Sequence, residues 1–221
     1  MTMESTEPAD NASLLARLHK AIAEKETVRG LDLTGADLRG ADLGYLVAER
    51  LVAEQARFDG ALLNGADLVE AYFTESVLDE ASLAGANIGM ATFKRASLRG
   101  ADLRNTLFTI AYCSDADLTG ADFSGAEITG TSFYRSLFDR VTLCGVRAEG
   151  AGFSGASLRS ADLSEGVFER AEFDRADLTD ANLTGADCTE ADFRGAILAG
   201  VRWGNARLDG AIFDPGAAPA S

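Results

Sequence analysis

The chain has 221 residues, with 35 Asp and Glu against 20 Lys and Arg, a formal net charge of −15, one His and three Cys. This balance excludes a basic phosphate-gripping surface, a multi-His metal site and a disulfide scaffold, and the few Cys suit a reducing compartment. No apolar run approaches the roughly 20 residues of a membrane span.

Residues 1–10 are acidic and polar, so they read as a disordered tail and not as a signal peptide. Residues 11–29 read as an N-terminal capping segment built on a helix from Asn11 to Thr27. Asp10 or Asn11 can cap that helix, and Leu14, Leu18 and Ile22 share one face of it.

From residue 30 to 214 the chain repeats every five residues without a slip. Let i be the central position of each unit, falling at residues 33, 38, 43 and so on to 213. Its 37 occupants are 17 Leu, 12 Phe, 3 Ala, 2 Ile, 2 Cys and Trp203. Position i−2 is Ala in 26 units, position i−1 is often Asp, Ser, Thr or Asn, and position i+2 is Gly in 16. A period of five fits neither a helix nor a long strand. Positions i−2 and i are two apart, so extended backbone points both inward and i−1 outward. Residues i+1 and i+2 then turn a corner, where Gly takes positive φ at little cost. The product is an all-β solenoid around stacked Leu and Phe.

Sorted on a 20-residue period, seven of the 12 Phe fall on one face of ten positions, whereas a 15-residue period spreads seven over 13. That favours four sides and leaves three open. The 37 units then make just over nine coils, a rod of roughly 45 Å at about 4.8 Å per coil.

The pattern weakens at Tyr45 to Gln55, where Leu46 and Leu51 occupy i−2 while Ala48 and Ala53 occupy i. Two readings stand: a repacked pair of units that exchanges large for small, or a short helical bulge. The unbroken register favours repacking. Residues 215–221 are a polar tail without a capping helix, which leaves Trp203, Ile212 and Phe213 in a poorly covered last coil.

The sequence resembles the pentapeptide-repeat family, whose consensus is Ala-(Asp/Asn)-(Leu/Phe)-X-X. Ala36-Asp37-Leu38, Ala101-Asp102-Leu103, Ala121-Asp122-Phe123 and Ala191-Asp192-Phe193 match it literally. The resemblance implies a right-handed quadrilateral parallel β-helix with 20 residues per coil, here about nine coils behind an N-terminal capping α-helix. It also implies a homodimer joined through the C-terminal coils, with Trp203, Ile212 and Phe213 at the contact.

Nothing in the sequence marks an enzyme or a cofactor site. His19 reads as a surface helix residue, Cys113 and Cys188 as buried small hydrophobes, and Cys144 as an exposed thiol. The many Asp belong to the repeat, and a convex rod offers no pocket in which two carboxylates could converge. Function therefore lies on the surface. The repeats carry 30 acidic and 16 basic residues, net −14, and the face containing Glu169, Asp187 and Glu190 is the most negative. On that same face Val69, Met90, Leu107 and Ile110 occupy outward or corner positions, with Tyr72 and Tyr112 around the next corner. These six read either as a partner site or as stray apolar residues that corners tolerate.

The resemblance to Qnr-type and MfpA-type members implies a cytoplasmic bacterial protein that mimics DNA, binds DNA gyrase or topoisomerase IV without touching nucleic acid, and protects it from inhibitors. The alternative is a scaffold that binds another regulatory protein through the apolar patch. A secreted effector or luminal protein is disfavoured, since no targeting segment is recognisable.

Overall fold

The computed structural model describes residues 11–219; the expected tail over residues 1–10 and the Asp10 cap lie outside them. Helix α1 spans Asn11–Glu24, three residues shorter than the sequence predicts. It stops there because Lys25 takes φ 55°. The Glu26 N–H reaches the Ala21 carbonyl at 2.9 Å and the Lys25 N–H reaches Ile22 at 3.1 Å, a Schellman closure of the last turn. Leu18 and Ala21 are buried in the same apolar cluster as the repeats, with Leu14, Leu15 and Ile22 packed against it.

The solenoid begins earlier than residue 30. Val28 is buried, and strand β1 (Val28–Arg29) pairs in parallel with β2 (Ala48–Glu49), so Val28 is already an i residue and Gly30 its corner. Every later rung is a single bridged residue at i−1, joined in parallel to the residue 20 places on, as in Asp32–Val52, Asp102–Asp122 and Asp192–Ile212. The 20-residue step settles the number of sides at four. Strands stay short because a corner interrupts the ladder every five residues.

Backbone hydrogen bonding accounts for the motif position by position. Leu33 at i donates to the Val52 carbonyl of the next coil at 2.6 Å. Gly35 at i+2 donates to Glu54 at 2.9 Å, and Val52 at i−1 donates back to Leu31 at 2.9 Å. Ala36, the next i−2 residue, closes the corner by donating to Leu33 at 2.9 Å. Only the N–H of i+1 is left over. The Asp or Asn at i−1 takes it: Asp32 accepts from Thr34 at 2.9 Å, Asp117 from Thr119 at 3.0 Å and Asp192 from Arg194 at 3.0 Å. The recurrent Asp is thus the acceptor for the one amide the ladder does not use.

Inside, the i residues pack to full burial. Phe133, Phe153, Phe173 and Phe193 stack at centroid spacings of 5.2, 5.0 and 5.0 Å, with ring planes within 14° of parallel. Leu46, Ala48, Leu51 and Ala53 are buried in regular coils, so the Tyr45–Gln55 stretch is repacked and no helical bulge forms. A milder exchange is made at Gly166, where an added Cβ would lie 2.5 Å from the Phe168 ring. The four buried hydroxyls, Ser76, Thr106, Thr131 and Ser136, all stand at i−2 and donate to corner carbonyls.

The corners hold the fold's strain. Twenty of the 21 non-glycine residues with positive φ lie at i+2; the other is Lys25. At the C-terminal end the core thins, with Leu198, Val201, Trp203, Leu208 and Phe213 only partly buried. Phe153→Ala removes the middle of the stack and is expected to cost roughly 3–5 kcal/mol. Asp102→Asn keeps the i−1 acceptor and should cost far less; thermal melts that reverse this order would contradict the inside–outside assignment.

Candidate functional site

Two of the residues that could carry chemistry are enclosed in the core. Cys113 and Cys188 are buried, and burial pushes the Cys113 thiol up and the Cys188 thiol up to about 12. Cys144 is half-buried, not exposed as the sequence predicts. His19 lies on the helix surface but its Nε2 is 2.9 Å from the Asp42 carbonyl, a tether between α1 and the coils that the sequence did not signal. Among the described residues no group of three or more His, Cys, Asp or Glu could hold a metal ion.

The acidic residues divide into paired and unpaired sets, which counting charge by face does not reveal. Glu169 and Glu190 both bind Arg170, at 3.1 and 2.7 Å, and Asp187 binds Arg207 at 2.8 Å. The three acids picked from the sequence are therefore locally neutralised. The signal was present: opposite charges 20 residues apart, as in Arg29–Glu49, Glu75–Arg95, Asp115–Arg135 and Arg170–Glu190, become vertical ion pairs. Other pairs form within one side, such as Arg57–Asp59 and Arg104–Asp102. Among the described residues of the repeats, Glu54, Glu80, Glu127, Glu165 and Glu172 have no basic group within ion-pair distance, nor do Asp32, Asp42, Asp67, Asp79, Asp139, Asp162, Asp180 and Asp214, and most of the net negative charge resides with these thirteen.

The apolar candidates do come together. Tyr72, Met90, Leu107, Ile110 and Tyr112 are all exposed, and Val69 is half-buried. Met90 and Ile110 occupy successive places in one corner column, and Tyr72 and Tyr112 flank Thr92 on the adjoining side through the bridges Tyr72–Thr92 and Thr92–Tyr112. Tyr45, Leu62, Tyr134, Leu137, Ile197 and Ile212 are further exposed large hydrophobics. Leu62 and Leu137 stand alone at i−1 between polar rungs. Of the three predicted dimer residues, Ile212 is exposed and Trp203 and Phe213 are half-buried, in edge contact with each other at 5.9 Å.

Several i−1 carboxyls lie below their ordinary value of 3.8: Asp32 by its hydrogen bond from Thr34, Asp102 from Arg104, Asp187 from Thr189 and Asp192 from Arg194. Asp37 is held at about 2 by Arg39. Each is more acidic folded than unfolded, so each stabilises the fold above the unfolded value and loses that contribution as pH falls through the lower folded one. The melting temperature is expected to stay level from neutral pH to about 5 and to fall progressively below about 4. Replacing Asp32 and Asp192 with Ala should make that fall shallower in a pH series of thermal melts.

The comparisons agree with this architecture. The chain matches the family described as Pentapeptide repeats in eight copies, the matched segments running from residue 56 to 214. A trypsin-treated QnrB1, described as a plasmid-mediated fluoroquinolone resistance protein, superposes with a TM-score of 0.64 at 21% identity, over 85% of this chain and 91% of that one. HetL, a pentapeptide repeat protein involved in heterocyst differentiation regulation in the cyanobacterium Nostoc sp. strain PCC 7120, is similar over 98% of this chain and 99% of its own, at 25% identity and a TM-score of 0.45. No curated protein sequence matches the chain. With its five-residue motif, its 20-residue coils and the family match, the chain belongs to the pentapeptide-repeat family, whose members form right-handed quadrilateral β-helices.

Proposed function

We propose that this rod is a non-catalytic binding protein of the bacterial cytoplasm that occupies the DNA-binding groove of a type II topoisomerase, DNA gyrase or topoisomerase IV, and shields the enzyme from inhibitors. The observation that carries this reading is the net −14 of the repeats, spread around a stiff rod. Nine coils at about 4.8 Å each give roughly one net negative charge per 3 Å of axis, about half the linear density of duplex DNA. A basic channel attracts such a rod, and the long-range field speeds encounter. The fold likeness to a fluoroquinolone resistance protein supports the choice of target. In this reading α1 closes the N-terminal coil and the half-buried Leu198, Trp203, Leu208 and Phe213 close against a second copy. A second reading, a scaffold for another regulatory protein, is favoured by the exposed cluster at Met90 and Ile110.

Purified protein added to gyrase supercoiling and cleavage assays, with and without a fluoroquinolone, tests the first reading. Inhibition or protection is expected, weakening steeply as salt rises. Reversing the unpaired Glu127, Glu165 and Glu172 to Lys should weaken it more than reversing Asp37, which Arg39 already neutralises. No effect and no complex at low salt would leave the scaffold reading.

The dimer has its own test. Trp203→Glu is expected to convert dimers to monomers in light scattering without lowering the helix-and-coil content. A wild-type protein that is monomeric at high concentration overturns it.

A further inference from the structure

Three observations meet at the corner formed by Met90 and Ile110. First, both residues hold φ in the left-handed region, 57° and 55°, where Gly is the unstrained choice. Left-handed backbone strains a side chain, a β-branched residue fits it worst, and among the described non-glycine residues with such φ Ile110 is the one β-branched residue. Strain of this kind persists where something other than stability selects the residue. Second, a side chain sits within the Ile110 turn: the Ala111 N–H donates to Thr131 Oγ1 at 3.3 Å while that hydroxyl donates to the Phe108 carbonyl, an insertion that Ser136 repeats at the Asp115 corner. Third, the two coils here carry no charge from residue 86 to 92 or from 106 to 112.

What surrounds the patch has a direction. Along the rod axis it is bounded by Asp67 and Glu70 on one side and by Glu127 and Glu149 on the other. Glu70 and Glu149 are partly offset by Arg50 and Arg147, while Glu127 has no basic group within ion-pair distance. Across the axis the nearest charge is the opposite one, Lys94, two residues beyond Thr92. The charge therefore favours an occupant that lies along the rod with cationic ends, and disfavours one that lies across it.

We infer that this corner docks a polypeptide segment with an apolar centre and Lys or Arg at both ends, aligned with the rod axis. Its apolar residues cover Met90, Leu107 and Ile110 and enter the notch over Thr92 between Tyr72 and Tyr112. The acidic boundaries are three coils apart, about 14 Å, which a helix spans in roughly nine or ten residues. This rests on the reading of the rod as a binding protein and not on which enzyme it binds.

The test is selection of a random-peptide display library against the purified full-length protein, followed by anisotropy titration of the enriched peptides. No topoisomerase is present, so the outcome is separate from that of the supercoiling assay. Peptides with an apolar core between basic ends are expected to enrich. Their affinity should fall about tenfold or more with Ile110→Asp, and stay unchanged with Ile197→Asp, an exposed apolar residue on another side. Ile110→Gly guards against misfolding: it should raise the melting temperature by relieving the left-handed strain and still weaken the peptide. Glu70→Gln with Glu127→Gln should reduce the salt dependence. No enrichment, enrichment of acidic-ended peptides, equal binding to Ile110→Gly, or partition of the protein onto zwitterionic vesicles through this corner would each overturn the proposal.

Discussion

Everything in this molecule hangs on the hydrogen-bonded step from each coil to the next, 20 residues on. The N–H of Leu33 meets Val52 and the N–H of Leu38 meets Arg57, and the same offset recurs through to Phe193 and Ile212. Once that step is imposed, the motif is no longer a preference but an accounting result. Position i must be apolar because it is enclosed on all sides. Position i−2 must be small because it shares that interior with i, and position i−1 is best an Asp because one amide per unit is otherwise orphaned. The corner at i+2 must accept positive φ whatever residue stands there.

The same step turns sequence distance into electrostatics. Residues 20 apart on one column lie about 4.8 Å apart, closer than a Debye length, so their charges act on each other before they act on any partner. Glu75 and Arg95, or Asp115 and Arg135, spend their charge vertically. The field that reaches beyond the rod comes from carboxylates such as Glu165 and Glu172, whose columns hold no base in the adjacent rungs. A net charge is thus a poor map of an acidic rod, and the pairing within its columns is a better one.

The fold was legible in the sequence because its unit is short, local and repeated. The apolar i positions, the small i−2 positions and the corner glycines each announce one backbone requirement, and the repacked Leu46–Ala48 and Leu51–Ala53 units keep register throughout. The helix end was misjudged by three residues because Lys25, not a Gly, adopts the left-handed cap. The start of the coils at Val28 was hidden because its unit lacks the Ala-Asp-Leu pattern. The surface was less legible. The exposed cluster around Met90 and Ile110 could be named from its positions, whereas the neutralisation of Asp187 and Glu190 is written in the 20-residue spacing to Arg207 and Arg170 and is lost when charge is summed by face; only the Glu169 contact depends on which way Arg170 reaches.

The ledge presented by the last coil has the geometry of every ledge inside the rod: the same upward amides at the i and i+2 positions, the same four-sided outline and the same apolar floor. Helix α1, by contrast, meets only the first coils, through Leu18, Ala21 and His19. Growth and shortening are therefore quantised. Duplicating or deleting a 20-residue block anywhere between the ends returns each remaining side chain to its own face and moves the C-terminal ledge by one coil, about 4.8 Å. Reach and surface chemistry can therefore be altered separately in this architecture.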